Sequence, residues 1–475
     1  LFYDENHFIR WREQQTKSFK IRYYKGLGSI NDKDINEIYG KKIVEYIFDE
    51  RGEDNMLKAF CKKHANDRKK WLAEYVVAND FSIDKQGRVM KMTISDFINH
   101  DLIKFSFSDC ARSIPSCIDG LKESQRKILF GVKEEKLRFS GEVMKVAQLG
   151  GSIAKRTNYH HGEQNLYDTI TGMATNFVGS NNIPILYGDG QFGSRLAGGA
   201  DSASARYIFT KMNRLTERIF PVEDDILLKH VVDDGNEVQA EFYVPIIPVI
   251  LVNGSLGIGT GWSTSIPCYN PEELVEYIKE WIAGQISDHT EKVELKPWYK
   301  GFNGTIEIIK KDTYKTTGIY TEGDKNTIIV SELPIGLWTD TFKERCEHLI
   351  ATKKLKALEN NSSKTKVNFK LVKVNNNEID IEKELGLSSY LHTSNMVLFD
   401  HSNKLKKYEN VYEIIDEFCA VRLEYYEKRG QRQIKDLEKK MMILCNKIEF
   451  ISSVISGDIV LNRIEEGVVI KKLED

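Results

Sequence analysis

The segment Gly190-Gln191-Phe192-Gly193-Ser194-Arg195 is followed by Gly198-Gly199-Ala200-Asp201 and then by Ser202-Ala203-Ser204-Ala205-Arg206-Tyr207-Ile208-Phe209-Thr210. Glycines at this density let a backbone approach a bulky anionic ligand with its N–H groups turned to phosphate oxygens. The small residues ahead of Arg206-Tyr207 keep bulk away from the phenol. A phenol with a pKa of about 10 is a poor nucleophile until a cation or a base takes up its proton. It is also a competent leaving group, so a phosphotyrosine diester can reverse without an outside energy source. Arg206 beside it would stabilise the extra negative charge on a pentacoordinate phosphorus. Most tyrosines only pack, and it is the glycine and small-residue run that favours chemistry at Tyr207.

His160, His161 and Glu163 form a second polar knot. It suits a phosphate contact or a proton relay; zinc would lack a convincing third ligand, and a structural imidazole stays open. Lys122, Arg126 and Lys127 recur at near-helical spacing, with Lys145, Lys155 and Arg156 close behind. Each cluster reads as a phosphate-binding patch or as a solvated helix face. Bulk charge does not decide between them, because 68 basic side chains stand against 70 acidic ones for a net charge of -2. The 7 Cys are scattered without CxxC pairs, which argues for reduced thiols and against structural zinc. No apolar run is long enough to cross a bilayer, so no membrane partner is expected.

A chain of 475 residues is too long for one core, and two to four domains are expected. Residues 1–30 read as alternating β material, with Phe19, Ile21 and Tyr23 on one face before a Lys25-Gly26-Leu27-Gly28 turn. Residues 31–80 read as charged helix broken near Gly52, and 82–92 as a hairpin or linker. Between 95 and 220, helical segments are punctuated by glycine loops. Pro245 to Val252 is an apolar run expected as strand, followed by a glycine-rich loop. From 290 to 400, short strands alternate with polar turns as in a separate α/β unit, with exposed loops at 360–364 and 375–377. Ile434, Leu437, Met441, Leu444, Ile448 and Ile451 then form an a/d seam, extended less regularly by Leu423, Tyr426 and Gly430. Such a seam needs a partner helix, from another chain or from sequence beyond Asp475, unless the helix packs on its own domain.

Several ordered motifs resemble those of type IIA DNA topoisomerases. Ser113-Ile114-Pro115, Asp119-Gly120-Leu121-Lys122 and Gln125-Arg126-Lys127 resemble the start of the family's breakage-reunion winged helix. Lys145-Val146-Ala147-Gln148-Leu149, Tyr159-His160-His161-Gly162-Glu163 and Asn176-Phe177-Val178-Gly179-Ser180-Asn181-Asn182 continue the likeness. The string Arg206-Tyr207-Ile208-Phe209-Thr210 resembles the active-site tyrosine motif, with Ala205 where many members carry proline. Tyr23-Tyr24-Lys25-Gly26-Leu27-Gly28 resembles the close of the TOPRIM domain. Gly257-Ile258-Gly259-Thr260-Gly261-Trp262 and Asn395-Met396-Val397-Leu398-Phe399-Asp400 extend the order, and the whole looks like the eukaryotic and large-DNA-virus form.

The resemblance implies a multidomain α/β and α+β protein: the end of a TOPRIM domain at 1–80, a winged helix at 95–240, a tower domain at 241–405 and a coiled-coil arm at 406–475. It implies that Tyr207 joins a DNA 5′ end while leaving a 3′ hydroxyl, with Arg206 at the same phosphate and Arg112, Lys122, Arg126 and His161 at positions that hold the cleaved strand or line the active site. Lys25, Lys122, Arg126 and Lys127 are the expected DNA contacts. Ile258 corresponds to a wedge that bends the duplex by opening a base step, against a buried loop anchor as the bland alternative. Double-stranded DNA and a homodimer are the implied partners, because cutting both strands takes two tyrosines. Mg²⁺ and ATP are the implied cofactors of the full-length enzyme, with ligands expected outside this chain; Glu322-Gly323-Asp324 has metal-motif letters but reads as coincidence. Alone, the chain is expected to bind DNA and to cut it poorly or not at all. The nucleus is the implied setting, or host cell and virion for a viral member. The alternatives are a non-catalytic DNA-binding protein that keeps the fold, and a meiotic-type cleavage protein without tower or coil.

Overall fold

A computed structural model describes residues 43–74, 90–159, 161–233, 235–284, 294–323, 326–374 and 380–459, with scattered positions at 2, 8, 11–15, 17, 19, 21, 33–35 and 470. The expectations for Tyr23 through Gly28, including Lys25, for His160, for Asp324 and for 375–377 lie outside the described residues.

The first layer is built from β1 (Val44–Ile47), α1 (Gly52–Phe60), α2 (Ala65–Ala73), β2 (Met90–Thr93) and α3 (Ile103–Ser113). β1 departs from the sequence-based expectation of helix at 31–80, and β2 overlaps the end of the 82–92 stretch expected as a hairpin or linker, of which 82–89 lie outside the described residues. The two strands pair in parallel, Val44 against Met90, across a separation in sequence that local periodicity does not reveal. Trp71 and Leu72 of α2 pack with Ile98, Ile103, Cys110 and Ile114, so α3 is the floor of this layer.

A second core follows from helical stripes in three successive helices, α4 (Glu123–Glu134), α5 (Val146–Arg156) and α6 (Glu163–Ala174). Ile128, Leu129 and Val132, then Val146, Leu149 and Ile153, then Leu166, Ile170 and Met173 are all buried together. The three- and four-residue steps put each set on one helix face. A small antiparallel sheet closes the bundle: β3 (Met144–Lys145) and β4 (Leu186–Asp189) flank β5 (Phe209–Met212). Tyr207 lies immediately ahead of β5.

The apolar run after Pro245 is not a strand. Val249–Asn253 forms a short helix, α7, and only then does the chain extend into the hairpin β6 (Ser255–Ile258) and β7 (Ser263–Ile266). Val249 to Val252 are buried on every side, and a run without a polar face carries no period that separates helix from strand. Val249 joins the second core, and Ile250, Leu251 and Val252 join a third core with Leu274 and Tyr277 of α8 (Pro271–Ile282).

The 240/241 division expected from sequence does not follow the cores. Cys117 and Ile118 belong to the third core, as do residues of the later hairpin and of the long terminal helix. A peripheral lobe has its own core. It contains a three-stranded sheet, β8 (Thr305–Lys310), β9 (Thr313–Thr317) and β14 (Ser388–His392), in that order. Its second sheet runs β10 (Ile319–Gly323), β11 (Thr327–Glu332), β13 (Phe369–Lys373), β12 (Leu355–Asn360), covered by α9 (Thr339–Ala351) through Phe342, Cys346 and Leu349. The chain returns through the hairpin β15 (Met396–Phe399) and β16 (Leu405–Tyr408) to α10, Val411–Ser456, a helix of 46 residues. Asn410 caps α10 by accepting the Glu413 N–H at 3.0 Å. Its foot is buried through Ile414, Ile415, Phe418 and Tyr425, whereas Ile434, Leu437, Met441, Leu444, Ile448 and Ile451 are all exposed.

One half-buried carboxylate holds the foot of α10 to the return hairpin. Glu417 accepts from Lys406 Nζ at 2.8 Å, Tyr408 Oη at 2.9 Å and the His401 N–H at 3.0 Å. Burial alone would raise its pKa, but these donors, Lys406 foremost, hold it at about 2 against an ordinary 4.5. Its folded pKa is the lower one, so its stabilisation is complete above pH 4.5 and is lost as pH falls towards 2. The unfolding free energy, followed by denaturant titration at stepped pH, is expected to fall across that window in the wild type. Glu417→Gln is expected to flatten the fall, and equal slopes in both proteins would remove this role from Glu417.

Candidate nucleic-acid interface and tyrosine loop

Tyr207 is 70% exposed, on a turn that is fixed from both sides. The Val146 and Ala147 N–H groups, orphan donors at the start of α5, give hydrogen bonds to the carbonyls of Ile208 (3.0 Å) and Ala205 (3.1 Å). Those two acceptors bracket Arg206 and Tyr207, while Ile208 is buried in the second core. The Tyr207 N–H closes the turn on the Ser204 carbonyl at 2.9 Å, so Ala205 in place of the family's proline leaves the turn formed. The Arg206 guanidinium carbon stands 5.7 Å from the centre of the Tyr207 ring. Sequence and structure agree on an accessible phenol beside a cation.

The glycine run upstream also packs against protein. Gly198 adopts a φ of +63°, and a Cβ there would stand 2.3 Å from Trp338 Nε1 of the lobe. Its neighbours are also tied inward: Asp201 accepts from the Ser194 N–H at 2.8 Å and the Ser194 hydroxyl at 2.6 Å. Burial pushes the Asp201 carboxyl up, but the Ser194 hydrogen bonds outweigh it and leave the pKa below the ordinary value. The buried Arg195 guanidinium pairs with Glu332 and donates to the Leu333 carbonyl at 3.0 Å. Gly198 thus lets the loop pack on the lobe, whereas a Cβ at Gly190, Gly193 or Gly199 would meet Ile208, Gly199 or Phe177.

A separate groove of about 710 Å³ opens beside α3. Its lining includes Arg112, Lys122, His161, Leu256 and Ile258, together with the acidic Asp109 and Glu123. Arg112 Nη1 lies 3.4 Å from His161 Nε2. Lys122 Nζ donates to the Leu256 carbonyl at 2.7 Å, and burial depresses its pKa. The two acids are engaged, since Asp109 accepts from the Thr260 N–H and hydroxyl at 2.9 Å each and Glu123 stands 3.4 Å from Lys127. Tyr207 and Arg206 are not among the lining residues. Within one chain the expected residues therefore form two groups, the Arg206-Tyr207 turn and the Arg112–His161–Lys122 groove.

Two expected DNA contacts fall elsewhere. Arg126 is turned inward: its Nε donates to the fully buried Asp119 carboxylate at 2.8 Å and its Nη2 to the Leu121 carbonyl at 2.8 Å. Lys127 is buried and donates to the Thr157 carbonyl at 3.2 Å. The near-helical spacing was real, but the helix faces its own core with two of the three cations. Glu163 takes a hydrogen bond from Tyr167 Oη at 2.9 Å. Among the described residues no group of three His, Cys, Asp or Glu side chains could hold a metal ion. Glu322 pairs with Lys373 at 2.7 Å in the lobe sheet. All 7 cysteines are free thiols.

The hairpin presents Ile258 at 85% exposure, which rules out the buried loop anchor. Sequence reading missed Leu256, also exposed, whose signal was its place two residues from Ile258 on an alternating strand. Gly257 between them is pressed on α3, where a Cβ would meet the Ser113 carbonyl oxygen at 2.2 Å.

Residues 112–475 match the family model for the A chain of DNA gyrase/topoisomerase IV, and residues 1–110 match that for the C-terminal associated domain of TOPRIM. The chain is 44% identical over its whole length to the DNA topoisomerase 2 of Invertebrate iridescent virus 6, of which it spans 42%. It is 40% identical over 99% of its length to the DNA topoisomerase 2 of Arabidopsis thaliana, spanning 32% of that protein. A crystal structure of the Plasmodium falciparum topoisomerase II DNA-binding, cleavage and re-ligation domain superposes with a TM-score of 0.87 at 38% identity, covering all of this chain and 65% of that one. The chain belongs to the type IIA DNA topoisomerases. It spans less than half the length of the viral and plant relatives.

Because Ile258 is solvated, Ile258→Ala is expected to change stability by no more than about 0.5 kcal/mol, against roughly 2–5 kcal/mol for a buried isoleucine. Denaturant unfolding of the two proteins measures the difference, and a loss in the buried range would restore the anchor.

Proposed function

We propose that this chain is the DNA-gate part of a type II topoisomerase, in which Tyr207 opens and reseals one strand of a duplex. In this reading the Tyr207 phenol oxygen attacks a backbone phosphorus and displaces the 3′ oxygen of the neighbouring nucleotide. A 5′-phosphotyrosine diester forms as the 3′ O–P bond breaks, the phenol proton passes to a base, and the departing oxygen is protonated. Resealing runs the same exchange backwards, one phosphodiester for another. Arg206 stabilises the pentacoordinate phosphorus, and Arg112 with His161 holds DNA in the adjoining groove. The observation that carries the reading is the exposed phenol beside Arg206 on a turn clamped at Ala205 and Ile208.

A duplex has two strands, so the reading calls for two copies of Tyr207 and hence a homodimer. The exposed apolar stripe of α10 supports it as the seam of a coiled-coil arm, beside a winged helix built on α4 to α6 and a tower formed by the lobe. Strand passage that relaxes supercoils and separates linked duplexes is the activity proposed for the full-length protein, with Mg²⁺ and ATP as cofactors. The described residues supply no ligand set for a metal, and no step above is routed through one. A non-catalytic DNA binder would have no use for an accessible phenol clamped beside an arginine.

Tyr207→Phe in the full-length protein is expected to abolish covalent protein–DNA adducts while DNA affinity stays within about twofold, since only one oxygen is lost. Adducts trapped by denaturation and counted against total DNA give the measurement, and wild-type levels in the variant would refute the assignment.

DNA binding is expected to weaken steeply with salt despite the net charge of -2. Each phosphate neutralised contributes about -0.9 to the log–log slope. Arg112→Ala or Lys122→Ala is expected to make the slope shallower by roughly one such unit per contact. Arg126→Ala and Lys127→Ala are expected to lower the melting temperature and leave the slope alone, because both cations are spent inside the fold. Fluorescence anisotropy across a salt series distinguishes the two pairs, and a flat wild-type response would show that the groove does not hold phosphate.

A further inference from the structure

Leu256 is 73% exposed and is not explained by any packing role in the hairpin. It alternates with Gly257 and Ile258 along β6, so Leu256 and Ile258 project from one face of the strand while Gly257 is buried on the other. Two residues of strand span roughly 6.6 Å, close to two base-pair steps at about 3.4 Å each. The strand cannot recede under load. A Cβ at Gly257 would stand 2.2 Å from the Ser113 carbonyl oxygen, so the backbone already touches α3. On the near side Lys122 Nζ grips the Leu256 carbonyl itself at 2.7 Å.

We infer that Leu256 is a second apolar prong, entering the minor groove of the duplex beside the step that Ile258 opens. This rests on the DNA-gate reading given above. The occupant is set by hydrogen-bond donors: Arg112, Lys122 and His161 line the same groove as the two prongs, and its acids, Asp109 and Glu123, stand 3.8 Å from Arg112 and 3.4 Å from Lys127. Arg112 and Lys122 would attract a phosphate backbone. Two aliphatic side chains also fall far short of the roughly 800 Å² that each partner buries in a stable protein interface. An apolar pair on a rigid strand beneath flanking cations fits a groove whose walls are phosphate and whose floor is base edges and sugars. Leu256 packs on that floor, so the opened step is covered on one flank as well as filled. The consequence is a preference for sites that bend with both prongs in place, a preference that Ile258 alone would set less sharply.

The test uses the full-length protein and a duplex carrying a dye at each end, with bending read by energy transfer and affinity by titration. Leu256→Ala is expected to weaken binding roughly tenfold and to reduce bending, with the salt slope unchanged, since a leucine's burial is lost and no charge is. Leu256→Met, which keeps apolar length, is expected to restore most of both. Leu256→Ala combined with Ile258→Ala is expected to lose less than the product of the single effects, because either prong alone has little opened step to act on. If Ile258→Ala loses bending while Leu256→Ala binds and bends within twofold of wild type, the second prong is overturned and the DNA-gate reading survives. If neither change affects bending, that reading of the hairpin fails with it. A shift in sedimentation of Leu256→Ala without DNA would show a protein interface and would also overturn the proposal.

Discussion

The carboxylate of Asp119 is fully buried, and three separate parts of the chain depend on it. It accepts the Leu121 N–H at 2.9 Å, the Tyr243 N–H at 3.0 Å and Arg126 Nε at 2.8 Å. Leu121 belongs to the three-helix core and Ile118 to the core that receives the long helix, so the carboxylate stands at their junction. A buried carboxylate is tolerable only when its charge is matched and its lone pairs are filled, and here one arginine and two backbone amides do both. The same segment is stitched to the return hairpin by Cys117 N–H to Phe399 O at 2.8 Å and Phe399 N–H to Pro115 O at 3.0 Å. Arg112 and Ser113, at the end of α3, therefore enter the groove from a backbone held on two sides.

A comparable joint links the lobe to the tyrosine turn. Arg195 with Glu332 is a buried ion pair, and Glu332 is further used by the Asn303 N–H at 3.2 Å. Lys364, from an exposed loop of the lobe, reaches Gln191 Oε1 at 2.6 Å. Gln191 in turn accepts the Ala203 N–H on its carbonyl at 2.9 Å, a few residues ahead of the phenol. The lobe thus bears on the turn through a short chain of contacts.

Much of this was legible in the residues, but not evenly. The a/d spacing from Ile434 to Ile451 specified a long helix with one apolar stripe, and a helix is local enough for spacing to suffice. Tyr207 stands out by its small neighbours and its arginine, and Ile258 by its flanking glycines. Arg126 and Lys127 mislead because a helix wheel shows that cations share a sector and not whether that sector faces water. Only the position of Asp119 and of the Thr157 carbonyl decides it, and both are matters of tertiary packing. Leu256 escapes notice because a single leucine between Ser255 and Gly257 belongs to no apolar run, and its signal is only the two-residue step to Ile258. Val249 to Val252 read as strand because a segment buried all round has no period to correct that expectation.

The long helix also has a mechanical side. Its last buried anchors are Arg422, paired with Asp224 at 2.6 Å, and Tyr425, with Arg429 reaching the same carboxylate at 3.4 Å. From there to Ser456 the rod runs on for roughly 46 Å at about 1.5 Å per residue. A tilt of roughly 10° at the anchors would carry the far end through about 8 Å over that length. The fulcrum is a charged cluster beside the third core, next to the Asp225–Lys133 pair that ties this segment to α4, so sub-ångström repacking there is magnified at the tip. Conversely, clamping the tip would resist small rotations of the core that carries Tyr207.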